Sequence, residues 1–300
     1  GRRYGLQLTF FRFALAPSAT PDPASSAWRS DQLYMAHLAL TDAAGGRFQA
    51  WERFARPVLG LAGAEAAPFR VWLEDWVLAG GADGLFPLRL QAAADGQAAT
   101  LLLRPRKPPV AHGDAGTSRK GPEPGNASRY YAFTRLEASG ELRLDGRTLA
   151  VDGSAWLDRE WGTSALGAGV AGWDWFALQL DDGRDLMLYR LRRADGSSDP
   201  YSAGSLVAAD GTPTPLAADA FSIEVLQQRD SRLGTRYPSR WRLRVPRAGL
   251  DLQVSPLLDE QELALSVRYW EGAVVASGSV GGRGYAELTG YAGASGPGRR

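Results

Sequence analysis

The densest run of reactive side chains is Gly153-Ser154-Ala155-Trp156-Leu157-Asp158-Arg159-Glu160-Trp161-Gly162, followed by Gly172-Trp173-Asp174-Trp175-Phe176. On a strand, side chains alternate between faces, so Trp156, Asp158 and Glu160 point one way and Leu157, Arg159 and Trp161 the other. Trp173 and Trp175 likewise share a face opposite Asp174 and Phe176. Two acids and an indole can therefore line one wall. Packing against rings raises a carboxyl pKa and keeps it protonated, ready to give up a proton. Indole faces stabilise a developing cation through their quadrupole. The competing reading is structural: core tryptophans, with Arg159 in a salt bridge where a barrel closes.

The aromatic-plus-acid spacing recurs in Tyr269-Trp270-Glu271-Gly272 and Gly284-Tyr285-Ala286-Glu287-Leu288. Tyr269 shares a strand face with Glu271, and Tyr285 with Glu287; cross-strand packing with exposed acids is the plainer alternative. A third cluster, His112-Gly113-Asp114-Ala115-Gly116-Thr117-Ser118-Arg119-Lys120-Gly121, is loop-like. It can cradle an anion or serve as an ordered loop between domains, and it lacks the glycine spacing of a phosphate-binding loop. His37 lies in an apolar strand, either as a candidate ligand-binding residue or as a satisfied core histidine.

Composition narrows the chemistry further. The 300 residues carry no cysteine and only two histidines, which excludes disulfides, thiolate nucleophiles and a multi-His metal site. No metal or cofactor is expected. With 34 basic and 33 acidic residues the net charge is +1, which gives no footprint for nucleic acid. No apolar run approaches the roughly 20 residues of a membrane-spanning helix, so an integral membrane protein is not expected.

The elements that must position these residues read as strands. Leu6, Leu8 and Phe10 alternate with Gln7, Thr9 and Phe11. Further strands are expected at Leu33–Thr41, Phe48–Phe54, Phe69–Leu78, Tyr130–Leu136, Gly140–Leu144 and Thr148–Asp152. In the second half they are expected at Trp173–Leu180, Asp185–Leu191, Phe221–Gln227, Trp241–Val245, Leu250–Val254, Glu262–Tyr269, Ala273–Val280 and Ala286–Tyr291. Asp95-Gly96 and Asp181-Asp182-Gly183 signal hairpins; a short helix near Gln91–Ala99 competes with the first. Lys107–Asn126 reads as a long loop.

The order of motifs repeats. Gly5-Leu6-Gln7-Leu8-Thr9-Phe10-Phe11-Arg12 resembles Gly183-Arg184-Asp185-Leu186-Met187-Leu188-Tyr189-Arg190. Two copies of one β unit account for this. The first copy has no counterpart of Trp173–Leu180, so it is expected to lack its opening strand. The expected architecture is all-β, two tandem lipocalin-like antiparallel barrels, over residues 1–149 and 150–294 with a tail at 295–300. Small barrels of this kind hold one apolar ligand in the mouth.

Ser154–Gly162, Gly172–Gly183, Leu186–Arg190, Tyr4–Arg12, the His112 loop and Tyr269–Ala273 together resemble the carotenoid 1,2-hydratase and AttH-type lipocalin-like family, over nearly the whole chain. The resemblance implies two barrels packed together, frequent export, and a setting near ABC-transporter permeases. It implies, for an enzyme, acid protonation of a C=C bond of a hydrophobic carotenoid or isoprenoid, a cation held by aromatics, and capture by water. Asp158 and Glu160 are the acids expected to do this. The expected ligand-binding set is Trp156, Trp161, Trp173, Asp174, Trp175, Gln179, Tyr189, Tyr269, Glu271, Tyr285 and His37. The alternatives are a non-catalytic periplasmic lipid-binding protein serving an ABC transporter, and a ligand-free scaffold. The expected location is periplasmic or secreted, with the cytoplasm as the alternative.

Overall fold

The computed structural model describes residues 1–15, 30–82, 84–162 and 166–292. The tail expected at 295–300 lies outside them. In chain order the strands are β1 (Tyr4–Ala14), β2 (Gln32–Asp42), β3 (Arg47–Ala55), β4 (Ala62–Ala66), β5 (Phe69–Leu73), β6 (Trp76–Gly81), β7 (Gly84–Ala94), β8 (Gln97–Pro105), β9 (Val110–Ala111), β10 (Thr117–Arg119) and β11 (Ala127–Leu144). There follow β12 (Arg147–Gly162), β13 (Val170–Leu180), β14 (Asp185–Arg193), β15 (Ala203–Val207), β16 (Pro213–Leu216), β17 (Ser222–Asp230), β18 (Arg236–Val245), β19 (Leu250–Pro256), β20 (Glu262–Ala264), β21 (Arg268–Gly278) and β22 (Gly282–Leu288).

The chain is all-β, two tandem lipocalin-like curled barrels. The first combines a three-stranded sheet, β1-β2-β3, with a nine-stranded sheet that runs from β4 through β7, β8 and β11 to β12. The second is a ten-stranded sheet ordered β16-β15-β14-β13-β22-β21-β19-β18-β17, with β20 on β21. The sequence repeat has a structural counterpart, since β1 pairs with β2 and β2 with β3 as β14 pairs with β15 and β15 with β16.

Several elements differ from expectation. Gln91–Ala99 is no helix: β7 and β8 run through it and turn at Asp95-Gly96, both with positive φ. Phe69–Leu78 is two strands, because Glu74 adopts φ 56° and turns the chain. Tyr130–Leu136 and Gly140–Leu144 are one strand, β11, whose pairing with β12 slips between Phe133 and Leu136. The loop at 107–126 carries β9 and β10 against β11. Strand β12 runs past position 149 and stays hydrogen-bonded to β11 as far as Gly162.

Both interiors are filled with side chains. Phe176, Leu178, Leu188, Trp241, Leu243, Trp270 and Leu288 pack inside the second half, with Phe176 edge-on to Trp241 at 5.4 Å. Leu88, Leu103, Phe133, Leu136 and Leu142, with Tyr4, Leu6 and Leu8 of β1, fill the first. Alternation then sends every second residue of the inner strands outward. Gln7, His37 and Thr41 leave the first half, and Tyr269 and Gln261 leave the second to meet them. The mouth of a barrel is thus not where the reactive side chains collect.

Candidate functional site

The reactive residues collect where the outer faces of the two halves meet. From the first half come Tyr130 of β11 and Trp156, Asp158 and Glu160 of β12. The register sets Ala132 opposite Asp158 and Tyr130 opposite Glu160. From the second half come Trp173 and Trp175 of β13, Tyr269 and Glu271 of β21, and Tyr285 and Glu287 of β22. Glu271 lies directly opposite Glu287, and Trp175 opposite Glu287 on its other side.

Asp158 is held by two donors on the same oxygen. Trp156 Nε1–H donates to Oδ1 at 2.8 Å and the Tyr130 hydroxyl donates to it at 3.0 Å. Trp175 Nε1–H in turn donates to the Tyr130 oxygen at 3.3 Å, and the Trp156 and Trp175 rings meet edge-to-face. Oδ1 is thus committed as an acceptor, which leaves Oδ2 to carry a proton. Burial pushes the Asp158 carboxyl up to about 7; the bonds from Trp156 and Tyr130 pull it down, while the Glu160 charge adds to the rise.

Glu287 behaves alike. Burial pushes it up to about 7 against the bond from Trp173 Nε1–H at 3.2 Å, and the charges of Glu160 and Asp158 raise it further. Glu271 is pushed well above the usual carboxylate range by burial, then by its neighbours Glu287 and Asp158. Carboxylates this close cannot all ionise, so the Glu271–Glu287 pair holds a proton at neutral pH. Asp158, Glu271 and Glu287 each nonetheless keep a strip of accessible surface.

The remaining expected residues fall into place around this cluster. Tyr285 contacts Glu271 electrostatically, and its hydroxyl is pushed up by burial first. Tyr269 bonds Glu271 and His37, so His37 is a satisfied buried group at the edge of the cluster. Glu160 stands exposed at the rim, where Ser128 Oγ–H donates to it and Lys120 Nζ lies 3.3 Å away. Tyr189 sits beneath Lys120, 3.9 Å from ring centre to ammonium. Gln179 ties the halves together, donating to the carbonyls of Thr134 at 2.8 Å and Ala155 at 2.9 Å.

Two expected residues are not brought to the cluster. Asp174 points into the second half and is wholly buried, bound by Arg190, by Arg192 Nε–H at 3.0 Å and by the Tyr291 hydroxyl at 2.9 Å. Trp161 is 56% exposed on the opposite face of β12, edge-on to Tyr131. Arg159, on that face, makes no ion pair with another described residue; it lies over the rings of Phe69 and Tyr131. Tyr130 and Lys120 are members that strand alternation does not reveal, because only the β11–β12 register and the packing of the loop before β11 bring them in. His112 is buried, its Nδ1 3.0 Å from Ser205 Oγ, its ring against Tyr130. Burial first, then the Lys120 charge, lowers it to about 4. Among the described residues no His/Asp/Glu group is arranged to hold a metal ion, and no helix is long and apolar enough to cross a membrane.

Fold and cluster together define a two-barrel β protein with a cluster of carboxyls and aromatic rings between its halves. The chain belongs to the AttH-like family, whose model matches residues 1–291. A solved structure described as AttH, from Nitrosomonas europaea, is 36% identical; the match covers 96% of this chain and 87% of that one, with a TM-score of 0.83. Kievitone hydratase from Nectria haematococca shares the fold at 17% identity, with a TM-score of 0.73 over 96% of this chain and 84% of its own. No curated protein matches the sequence.

Proposed function

We propose that the protein is a hydratase that adds water across a C=C bond of a hydrophobic, isoprenoid-like substrate in the cleft between its halves. The observation that carries this is Asp158: a carboxyl raised to about 7, beside tryptophans, with one oxygen held and the other free to deliver a proton. In the step, the Oδ2 proton passes to the less substituted alkene carbon and leaves a tertiary cation. The rings of Trp156, Trp173 and Trp175 border that charge and stabilise it. Water adds to the cation, and its surplus proton passes to the Glu271–Glu287 pair. The fold shared with a protein named for hydration supports the reading. The family resemblance extends it to acyclic carotenoids, to a periplasmic or secreted setting, and to an ABC-transporter permease as neighbour.

The test is incubation with neurosporene, lycopene and shorter acyclic isoprenoids in heavy-oxygen water. The expected product has gained one water carrying the label. Asp158→Asn is expected to lower kcat by roughly 100- to 10,000-fold, the usual contribution of a positioned acid. Glu160→Gln is expected to change it far less, since Glu160 sits at the rim. A ligand that binds and leaves chemically unchanged would make the protein a lipid carrier instead.

A further inference from the structure

Four buried side-chain atoms at one end of the second barrel have no hydrogen-bond partner among the described residues: Ser239 Oγ, Trp241 Nε1, Glu262 Oε2 and Arg268 Nε. A buried polar atom is costly to leave bare, so four together ask for a cause. Tyr237, Ser239 and Trp241 are alternate, buried positions of β18. Trp270 of β21 stands beside them, its ring centre 6.2 Å from that of Trp241, and Glu262 is in register opposite Trp270. Glu262 Oε1 accepts from the Tyr237 hydroxyl at 3.1 Å and from Arg268 at 2.8 Å, which leaves Oε2 as an open acceptor. A cavity of about 240 Å³ lies against these residues, with Tyr237, Ser239 and Trp270 in its wall. Its origin is in β17, whose pairing with β18 slips twice between Val225 and Gln228. Bulges bend a strand, and the cavity lies past them, at the end of the β17–β18 hairpin. Ser239 is 5% exposed, so its bare hydroxyl is a buried polar contact built into the cavity wall.

The chemistry of the wall narrows the occupant. The volume falls below the roughly 300–1,000 Å³ of pockets that take drug-sized ligands, so a long isoprenoid does not fit. The ionisable lining is one arginine, Arg229, against Asp230, Asp259 and Glu260, and Arg229 is already paired with Asp259. That excess of acid repels anions. A cation without acceptor atoms offers nothing to the bare N–H groups of Trp241 and Arg268. A hydroxyl both donates and accepts, so hydroxyls can serve those N–H groups, Ser239 and Glu262 Oε2 alike. The rings of Trp270 and Tyr237 cover the carbon faces between such hydroxyls. We propose that this cavity binds a neutral, polyhydroxylated molecule of about monosaccharide size. Strand β21 keeps it apart from the carboxyl cluster: Trp270 packs with the interior of the second half, while Tyr269 and Glu271 leave by the opposite face. None of its residues takes part in the hydration step.

The test titrates the full chain with D-glucose, D-galactose, D-mannose, N-acetyl-D-glucosamine and myo-inositol, and in parallel with phosphate, acetate and choline. At least one neutral probe is expected to bind at millimolar concentration or below in calorimetry. The indole N–H signals of Trp241 and Trp270 are expected to move with it in nitrogen-15 NMR. Ser239→Ala removes a single oxygen and is expected to weaken that probe roughly two- to tenfold, the worth of one hydrogen bond. No binding by any neutral probe overturns the proposal and leaves the cavity to water. So does a preference for phosphate, acetate or choline, or an affinity that Ser239→Ala leaves unchanged. Movement confined to the indole signals of Trp156, Trp173 and Trp175 also overturns it, because the probe then sits at the carboxyl cluster. A protein that binds the probe here and hydrates no isoprenoid keeps this site and loses only the hydratase reading.

Discussion

At the scale of the residue, two neighbouring carboxyls tie chemistry to stability. Asp158 and Glu287 sit near 7, against ordinary values of 3.8 and 4.5. Between those limits the folded state binds more protons than the unfolded chain, so stability from these groups falls as pH rises. It is fully present below about 4 and lost as pH passes about 7. A double variant, Asp158→Asn with Glu287→Gln, has no carboxyls there to ionise. Its midpoint of denaturation relative to wild type is expected to climb between about pH 4 and pH 8. A flat difference between the two curves would show that neither acid is raised. Asp158 was readable from sequence because alternation on a strand is a local property; so was the recurrence of an aromatic two positions before Glu271 and Glu287. Asp174 and Trp161 entered the expected set through nearness in sequence, and alternation turns both away from the cluster.

At the scale of the element, close approach of backbones decides whether the acids meet. A Cβ on Gly284 would lie 1.8 Å from the Ala177 carbonyl oxygen. No rotation relieves that contact, because both partners are main chain. Gly284→Ala is therefore expected to part β22 from β13, carrying Glu287 away from Trp173. A loss of roughly 1–3 kcal/mol, the usual cost of overpacking, is expected in denaturant unfolding, together with a fall in turnover. An unchanged midpoint would show that the strands can shift without cost. Gly5 plays the matching part across the cleft, where a Cβ would come within 2.7 Å of the Tyr285 hydroxyl and 2.8 Å of Ala273 Cβ. Most strands were legible from period-two alternation and Asp-Gly turns. The exceptions have physical causes. Glu74 breaks the run from Phe69 to Leu78 through its backbone conformation, and Gly140, which looks like a turn, is a point of close approach where a Cβ would lie 2.1 Å from the Thr100 carbonyl oxygen.

At the scale of the whole molecule, a buried ionic knot joins the halves away from the cleft. Asp185, wholly buried at the start of β14, accepts from Lys107 Nζ at 2.7 Å, Thr134 Oγ1 at 2.8 Å and Arg135 at 2.7 and 3.0 Å. Lys107 also reaches the carbonyls of Gly183 and Ala208 at 2.6 and 2.9 Å. Asp185→Ala would strand the Lys107 ammonium without its anion, so a loss of roughly 3–5 kcal/mol is expected. Hydrogen exchange should then rise first in β13, β14 and the loop at 107–126; protection unchanged there would mean the knot does not fasten the halves. None of this contact was legible beforehand, because Lys107 and Asp185 are far apart in sequence and nothing local says that two barrels meet on their outer faces.

The packed interiors carry one more implication, for how such a protein changes over time. The side chains of the proposed site lie on the outside of both barrels, while those that hold each barrel together lie within. Strand alternation separates the two sets residue by residue. Substitutions that reshape the cleft, at Trp156, Trp173 or Tyr285, leave Trp241, Phe176 and Leu136 with their neighbours intact. Substrate preference can therefore drift widely among such chains while the scaffold stays constant.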